Sequence, residues 1–192
     1  MTSRRQKLHL IATGGTLEKS YQEPTGRVEN AETKIGRYLR RLRLPYLDVE
    51  ITSVMNIDSL FMTNDDRATI LQAVVKRVGP GEPVLITHGT DTMVETGRYL
   101  RERLAQLPAP IVLTGAMAPL GFEDSDGLQN LTESLLAARL LSPGIYIVMH
   151  NQVFPIDAVR KDRERARFVF TDEPSESPRE SSPLPLSDRQ PS

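Results

Sequence analysis

Cysteine is absent from the 192-residue chain, which excludes disulfides and any metal or redox centre built on thiolates. An excess of one charge is also missing: 24 basic residues stand against 25 acidic ones, a formal net charge of -1. Bulk electrostatics therefore give no pull toward nucleic acid or an anionic membrane, and neither is expected as a partner. Long apolar runs are lacking too. Arg4, Arg5 and Lys7 imitate the basic start of a signal peptide, but the run behind them, Leu8 to Ala12, contains His9 and is too short for a secretory core or a membrane span. A cytoplasmic location is expected. No internal repeat is visible. What remains is 39% apolar and 26% charged, the composition of an ordinary globular protein long enough to build a real core.

Short apolar runs alternate with helical stripes. His9–Thr13, Val49–Met55, Val84–Thr87, Ile111–Leu113 and Ile145–Met149 read as strands. Between them, residues 35, 38, 39 and 42 mark a helix over Ala31–Leu42 with Asn30 as N-cap. Residues 71, 74, 75 and 78 mark a second helix over Asp65–Val78. Met93, Gly97, Leu100 and Leu104 mark a third face, and Leu128, Leu131, Leu135 and Ala138 a fourth. This alternation predicts βαβ units, and hence an α/β three-layer sandwich with a mostly parallel sheet, in one domain over residues 1–171. Asp172–Ser192 holds five prolines and six serines, too little apolar surface to offset ordering, so it is expected to be a disordered tail.

The chemically unusual residues follow the strands. Thr16 comes after the first, Asp58 and Ser59 after the second, His88–Thr92 after the third and Gly115–Met117 after the fourth. In a parallel sheet these ends share one edge, where open α/β sheets bind ligands. Gly14-Gly15 could suggest a phosphate loop, but neither the dinucleotide pattern G-x-G-x-x-G nor the P-loop ending Gly-Lys-Ser/Thr is present. A threonine nucleophile fits better. Its hydroxyl is inert unless a neighbouring base takes the proton. Tyr21 lies close in sequence to Thr16, and Thr90, Asp91 and Lys161 offer a hydroxyl, a carboxylate and an ammonium.

Plainer readings stand beside these. Gly14-Gly15 suits an ordinary turn. Thr92 and Glu95 have the spacing of a capping box, and Asp91 suits a helix start. Lys161 sits among Arg160, Asp162, Arg163 and Glu164, as on a solvated charged face. Ser59 could merely begin a turn and Tyr21 could be a surface residue. His88 reads as a structural hydrogen-bonder rather than a base, and His9 and His150 as incidental.

Two stretches are more specific than any of these. Ala12-Thr13-Gly14-Gly15-Thr16 and Thr87-His88-Gly89-Thr90-Asp91-Thr92-Met93-Val94-Glu95-Thr96 resemble the two signatures of the bacterial-type L-asparaginases. Asp58-Ser59, Leu113–Met117, Ser125–Leu131 and the segment from Val148 to Lys161 are similar to that family as well. The resemblance runs from about residue 8 to 170, the family's N-terminal domain. It implies hydrolysis of L-asparagine to L-aspartate and ammonia through an acyl-enzyme on Thr16, assisted by Tyr21. Thr90, Asp91 and Lys161 would form the second catalytic group. Ser59 and Asp91 would hold the α-carboxylate and α-amino groups, and Asp58 would be a further substrate-binding residue. The backbone of Ala116 would face the side-chain amide, and the backbone N–H of Thr90 would help hold the oxyanion. No metal and no cofactor are implied.

Family members usually continue into a second domain that contributes an acidic contact to the neighbouring subunit's site. This chain resembles a short, single-domain form, so weaker substrate binding is expected. Leu60 follows the binding serine, where the periplasmic branch carries glutamine, which points to the cytoplasmic branch. A homo-oligomer, dimer or tetramer, is implied by the resemblance. Glutamine is one methylene longer than asparagine, so a low glutaminase activity is expected, since one methylene discriminates by only about 1–3 kcal/mol. Two rivals remain: a glutaminase-type subunit of a tRNA-dependent amidotransferase, and a non-catalytic amino-acid-binding module.

Overall fold

A computed structural model describes residues 5–15, 17, 34–120 and 123–173. Its centre is a six-stranded sheet. β1 (Gln6–Ala12), β2 (Leu47–Ser53), β3 (Val84–Thr87), β4 (Ile111–Thr114) and β5 (Ile145–Met149) run parallel, and β6 (Gln152–Pro155) closes one edge antiparallel to β5. The spatial order is β2-β1-β3-β4-β5-β6. The chain thus steps one way from β1 to β2 and the other way from β3 onward. The order reverses between β1 and β3, and a crevice opens there at the carboxyl edge.

Strand periodicity divides the core in two. Leu8, Leu10, Ala12, Leu85, Val112 and Val148 face one side, where α1 (Lys34–Leu39) contributes Ile35 and Leu39 and α4 (Gly127–Leu140) contributes Leu131, Leu135 and Ala138. Ile11, Val84, Ile86, Ile111, Leu113 and Ile147 face the other, against Ile70 and Val74 of α2 (Asn64–Val75) and Met93 and Leu100 of α3 (Met93–Arg103). Both faces of β1, β3, β4 and β5 are covered, which is why they read as nearly continuous apolar runs, whereas the edge strand β2 alternates. The three-layer α/β sandwich expected from the sequence is observed. Among the described residues no helix is long and apolar enough to cross a membrane.

The helical faces are shifted from those expected. In α2 the buried positions are Arg67, Ile70, Ala73 and Val74, while Val75 is exposed. Leu128 of α4 is also exposed, and Gly127, Leu131, Leu135 and Ala138 face the core. The expected Asn30 cap lies outside the described residues.

The sequence did not announce the end of the described fold. After β6 comes one 3-10 turn, Ile156–Ala158, and then an antiparallel hairpin, β7 (Val159–Asp162) with β8 (Arg167–Phe170). Val159 and Phe168 are buried in the α2–α3 core, Phe170 packs on Phe154 with ring centroids 4.8 Å apart, and Arg98 of α3 donates to the Val159 carbonyl at 3.2 Å. Ile156 lies so close to Gly97 of α3 that a Cβ there would overlap it. A glycine inside a helix is unfavourable by roughly 0.5–1 kcal/mol relative to alanine, and here it admits Ile156 of the 3-10 turn that leads into the hairpin. The segment from 174 onward, most of the expected tail, lies outside the described residues.

Candidate active site

The turns that leave β1, β2, β3 and β4 meet at the carboxyl edge, bound mainly by their backbones. The Ile57 N–H donates to the Thr13 carbonyl (3.1 Å), the Thr13 hydroxyl to the Thr87 carbonyl (2.8 Å) and the His88 N–H to the Thr114 carbonyl (2.8 Å). Gly14 and Gly15 have φ of 93° and 78°, a region side chains rarely tolerate. A Cβ on Gly15 would stand 2.6 Å from the Gly89 nitrogen. The glycine pair is therefore required by two constraints at once, its left-handed backbone and the near contact of two strand ends.

Thr90 and Asp91 follow β3 directly. Lys161 is 70 residues beyond Asp91, on β7. Strand alternation puts Lys161 on the same side as buried Val159. With the hairpin packed on α3, that side points to the α3 start. The Lys161 ammonium donates to Thr90 Oγ1 at 2.8 Å and to Asp91 Oδ1 at 2.8 Å. Lys161 and Thr90 are largely shielded, while the Asp91 side chain keeps 35% exposure. The charged run around Lys161 is thus solvated on one side only. The ion pair balances the ammonium locally. The ammonium beside Thr90 Oγ1 lowers the energy of any negative charge that develops on that oxygen.

Ser59 begins a 3-10 turn, Ser59–Phe61, whose N-cap Asp58 accepts from the Leu60 N–H at 3.1 Å. Ser59 is 1% exposed and its Oγ has no hydrogen-bond partner among the described residues. A buried hydroxyl left unpaired is costly, so such a group marks a place where a polar ligand atom would be welcome. Gly89 lies against this side chain, so that a Cβ there would overlap Ser59 Oγ. The Thr92 hydroxyl donates to the Ser59 carbonyl (2.8 Å), and Glu95 pairs with Arg67 at 3.1 Å. The Thr92–Glu95 capping box expected from spacing therefore does not form. The capping box belongs to α2: Thr63 Oγ1 accepts from the Asp66 N–H (3.3 Å) and Asp66 accepts from the Thr63 N–H (2.8 Å).

His88 is fully buried beneath these turns. Its Nδ1–H donates to the Gly89 carbonyl (2.7 Å), which fixes the tautomer and leaves Nε2 to accept from the Thr96 hydroxyl (2.8 Å). Thr96 Oγ1 in turn accepts from Arg67 Nε at 3.3 Å. Burial lowers the His88 pKa from 6.5 to about 4; the Gly89 bond opposes that and the Arg67 charge adds to it. A neutral, saturated imidazole is a scaffold, as expected, and it holds the turn that presents Thr90.

His150, read as incidental from sequence, is not. It donates from Nε2 to Asp126 at 2.8 Å. Asp126 also accepts from the backbone N–H groups of Met117 and Ala118, at 2.9–3.0 Å. Burial raises the Asp126 pKa, but the donors from Ala118, Met117, His150 and Asn130 outweigh it and hold the carboxyl below its ordinary value. His9, also read as incidental, is buried between two carboxylates, with Nε2 at 3.1 Å from Glu82 and Nδ1 at 3.6 Å from Glu50.

Of the residues singled out in the sequence, Thr90, Asp91 and Lys161 are joined by hydrogen bonds, and Ser59 touches Gly89 next to them. Asp58 caps the Ser59 turn. Ala116 is buried in the turn after β4, packed with Leu17 and Leu120. Thr16 and Tyr21 lie outside the described residues, but the two neighbours of Thr16 are described: Gly15 rests on Gly89, and Leu17 is 1% exposed beside Ala116. Sequence reasoning missed Arg67, Asp126 and the hairpin. Among the described residues there is no group of three or more side chains that could hold a metal ion.

A family model described as "Asparaginase, N-terminal" matches residues 7–179. The L-asparaginase of Thermococcus kodakarensis is 31% identical over 147 residues, covering 77% of this chain and 45% of that protein. A glutamyl-tRNA(Gln) amidotransferase subunit of Methanococcus vannielii is 29% identical over 151 residues, covering 77% of this chain and 35% of that one. The solved thermostable L-asparaginase from Thermococcus kodakarensis superposes with a TM-score of 0.77 at 30% identity, over 88% of this chain and 52% of its own. The chain spans no more than about half the length of these relatives.

Proposed function

The chain belongs to the asparaginase family through its N-terminal domain, and from that premise we propose that it is an amidohydrolase that converts L-asparagine to L-aspartate and ammonia. The observation that carries the reading is the triad of Thr90, Lys161 and Asp91, with both ammonium contacts at 2.8 Å, at the carboxyl edge beside the order reversal of the sheet.

In this reading the Thr16 hydroxyl attacks the side-chain amide, with Tyr21 assisting transfer of its proton to the departing nitrogen; the C–N bond breaks, ammonia leaves and an acyl-enzyme remains. Thr90, backed by Lys161, activates the water that then frees aspartate. The ammonium lowers the cost of negative charge on Thr90 Oγ1 by proximity, and Asp91 holds it in register. Ser59 offers an unpaired buried hydroxyl to the substrate's α-groups alongside Asp91, and Asp58 is a further substrate-binding residue. The Ala116 backbone faces the amide. Glutaminase activity is low. Cytoplasmic action as a homo-oligomer belongs to the same proposal.

Ammonia release from the purified chain with L-asparagine, L-glutamine and D-asparagine tests it. Release should be fastest with L-asparagine. Binding of asparagine without release of ammonia would overturn the reading in favour of a binding module. The similarity to an amidotransferase component supports a second reading, in which the same chemistry serves an amidotransferase. Preference for glutamine, and turnover that appears only with a partner protein, would favour it.

A further inference from the structure

We propose that Asp126 is a positioning residue for amide hydrolysis, its carboxylate holding the Gly115–Ala118 turn against Thr90; this rests on the amidohydrolase reading. Asp126 occupies the N-cap position of α4 but makes no side-chain cap bond to its own helix. A capping aspartate would turn forward onto the N–H groups of the first helical turn. This one turns back. Oδ1 accepts from the N–H of Met117 (2.9 Å) and of Ala118 (3.0 Å), and Oδ2 lies 3.0 Å from the same Met117 nitrogen. Oδ2 also accepts from Asn130 Nδ2 and from His150 Nε2, each at 2.8 Å.

Four donors from three separate segments thus converge on one carboxylate whose side chain is 16% exposed. An amide in its place has one accepting oxygen, and its NH₂ would face another donor. The partners are cross-braced: Asn130 donates to the Gly115 carbonyl (3.0 Å) and accepts from the His150 N–H (2.9 Å). The turn after β4, the start of α4 and the end of β5 are therefore one hydrogen-bonded unit.

That unit abuts the reacting group. A Cβ on Gly115 would stand 3.3 Å from Thr90 Cγ2 and overlap the His88 carbonyl. Gly115 leaves no room for a side chain between the turn and Thr90, so a displacement of the turn would reach Thr90. Asp58 and Ser59, in contrast, follow β2, three strands away from β4 in the sheet. Loosening the turn should therefore disturb the reaction at Thr90 more than the grip of Ser59 on the α-groups.

The test uses the full chain with Asp126→Asn, His150→Gln and His150→Leu. Hydrogen exchange is followed at the Met117 and Ala118 amides, with Leu113 as an internal control, and kcat and KM for L-asparagine are measured beside it. In Asp126→Asn the two amides should exchange at least about tenfold faster while Leu113 is unchanged. There kcat should fall by about 10- to 100-fold, the scale of a small misplacement at a reacting centre, with KM within about twofold. His150→Gln, which keeps a side-chain N–H donor, should stay nearer the native values than His150→Leu. Unchanged exchange at Met117 and Ala118 overturns the proposal, as does faster exchange with native kcat. If Asp126→Asn does not fold, the His150 pair decides by the same criteria. If the native chain itself releases no ammonia, the amidohydrolase reading fails, and exchange alone decides whether Asp126 holds the turn.

Discussion

Lowering the pH from 7.5 to 5 should cost this protein about 2 kcal/mol of stability through one side chain, His88. The imidazole is fully buried, its Nδ1–H is committed to the Gly89 carbonyl, and its Nε2 accepts from Thr96, which is itself held by the Arg67 guanidinium. A second proton would place a charge in the core beside an existing cation. Its pKa is accordingly about 4 in the folded protein, against about 6.5 in an unfolded chain. The folded pKa is depressed, so the unfolded state binds the proton more readily. The stability this represents is complete above about pH 6.5 and is lost as the pH falls toward 4. The whole gap is worth roughly 3 kcal/mol, of which roughly 2 is gone by pH 5. The carboxyls of Asp66 and Asp126 are held below their ordinary 3.8, so their losses begin at lower pH and leave this window clear. Urea unfolding at about pH 7.5, 6.5, 5.5 and 5.0 should be compared between the native protein and His88→Asn, which cannot titrate. The variant should start less stable, having lost good hydrogen-bond geometry, but its stability should fall by about 2 kcal/mol less over the interval. The other two histidines are common to both proteins and cancel. Parallel curves would refute the assignment of His88 as a buried neutral scaffold.

Lys161→Met keeps the aliphatic stem and removes the ammonium, so ammonia release should fall by at least about 100-fold with the circular dichroism unchanged; native turnover would remove Lys161 from the mechanism. Thr90→Val, nearly isosteric, should be as damaging to kcat with the fold intact, and normal activity would exclude the hydroxyl. Gly15→Ala forces a side chain onto φ of 78° and onto the Gly89 backbone, and should cost at least about 2 kcal/mol in denaturant unfolding; a neutral substitution would show that the two turns are not in tight contact. Thr63→Ala removes the α2 capping box and should cost about 1 kcal/mol while leaving kcat/KM untouched, because the cap lies on the solvent side of the helix start.

The alternation of apolar runs and helical stripes was enough to set the α/β class, the five parallel strands and the shared edge, because period-2 and period-3.6 patterns are local properties of the chain. Val84–Thr87 and Ile145–Met149 are legible for that reason, and so are the two signature stretches. What the sequence could not reveal are contacts between segments far apart along the chain. Lys161 sits in a charged run that by pattern faces water; the family resemblance rather than the pattern grouped it with Thr90 and Asp91, and the burial of Val159 and Phe168 in the core is what turns it toward them. The spacing of Thr92 and Glu95 promised a capping box, but the Ser59 carbonyl and Arg67, both from other segments, compete for those side chains and win. Asp126 stands at the N-cap of α4, and only the approach of the β4 turn and His150 shows which donors its oxygens accept from. Local periodicity determined which elements form. The direction in which each charged or hydroxyl side chain points was decided by long-range burial, since a polar group takes whichever partner the assembled core leaves within reach.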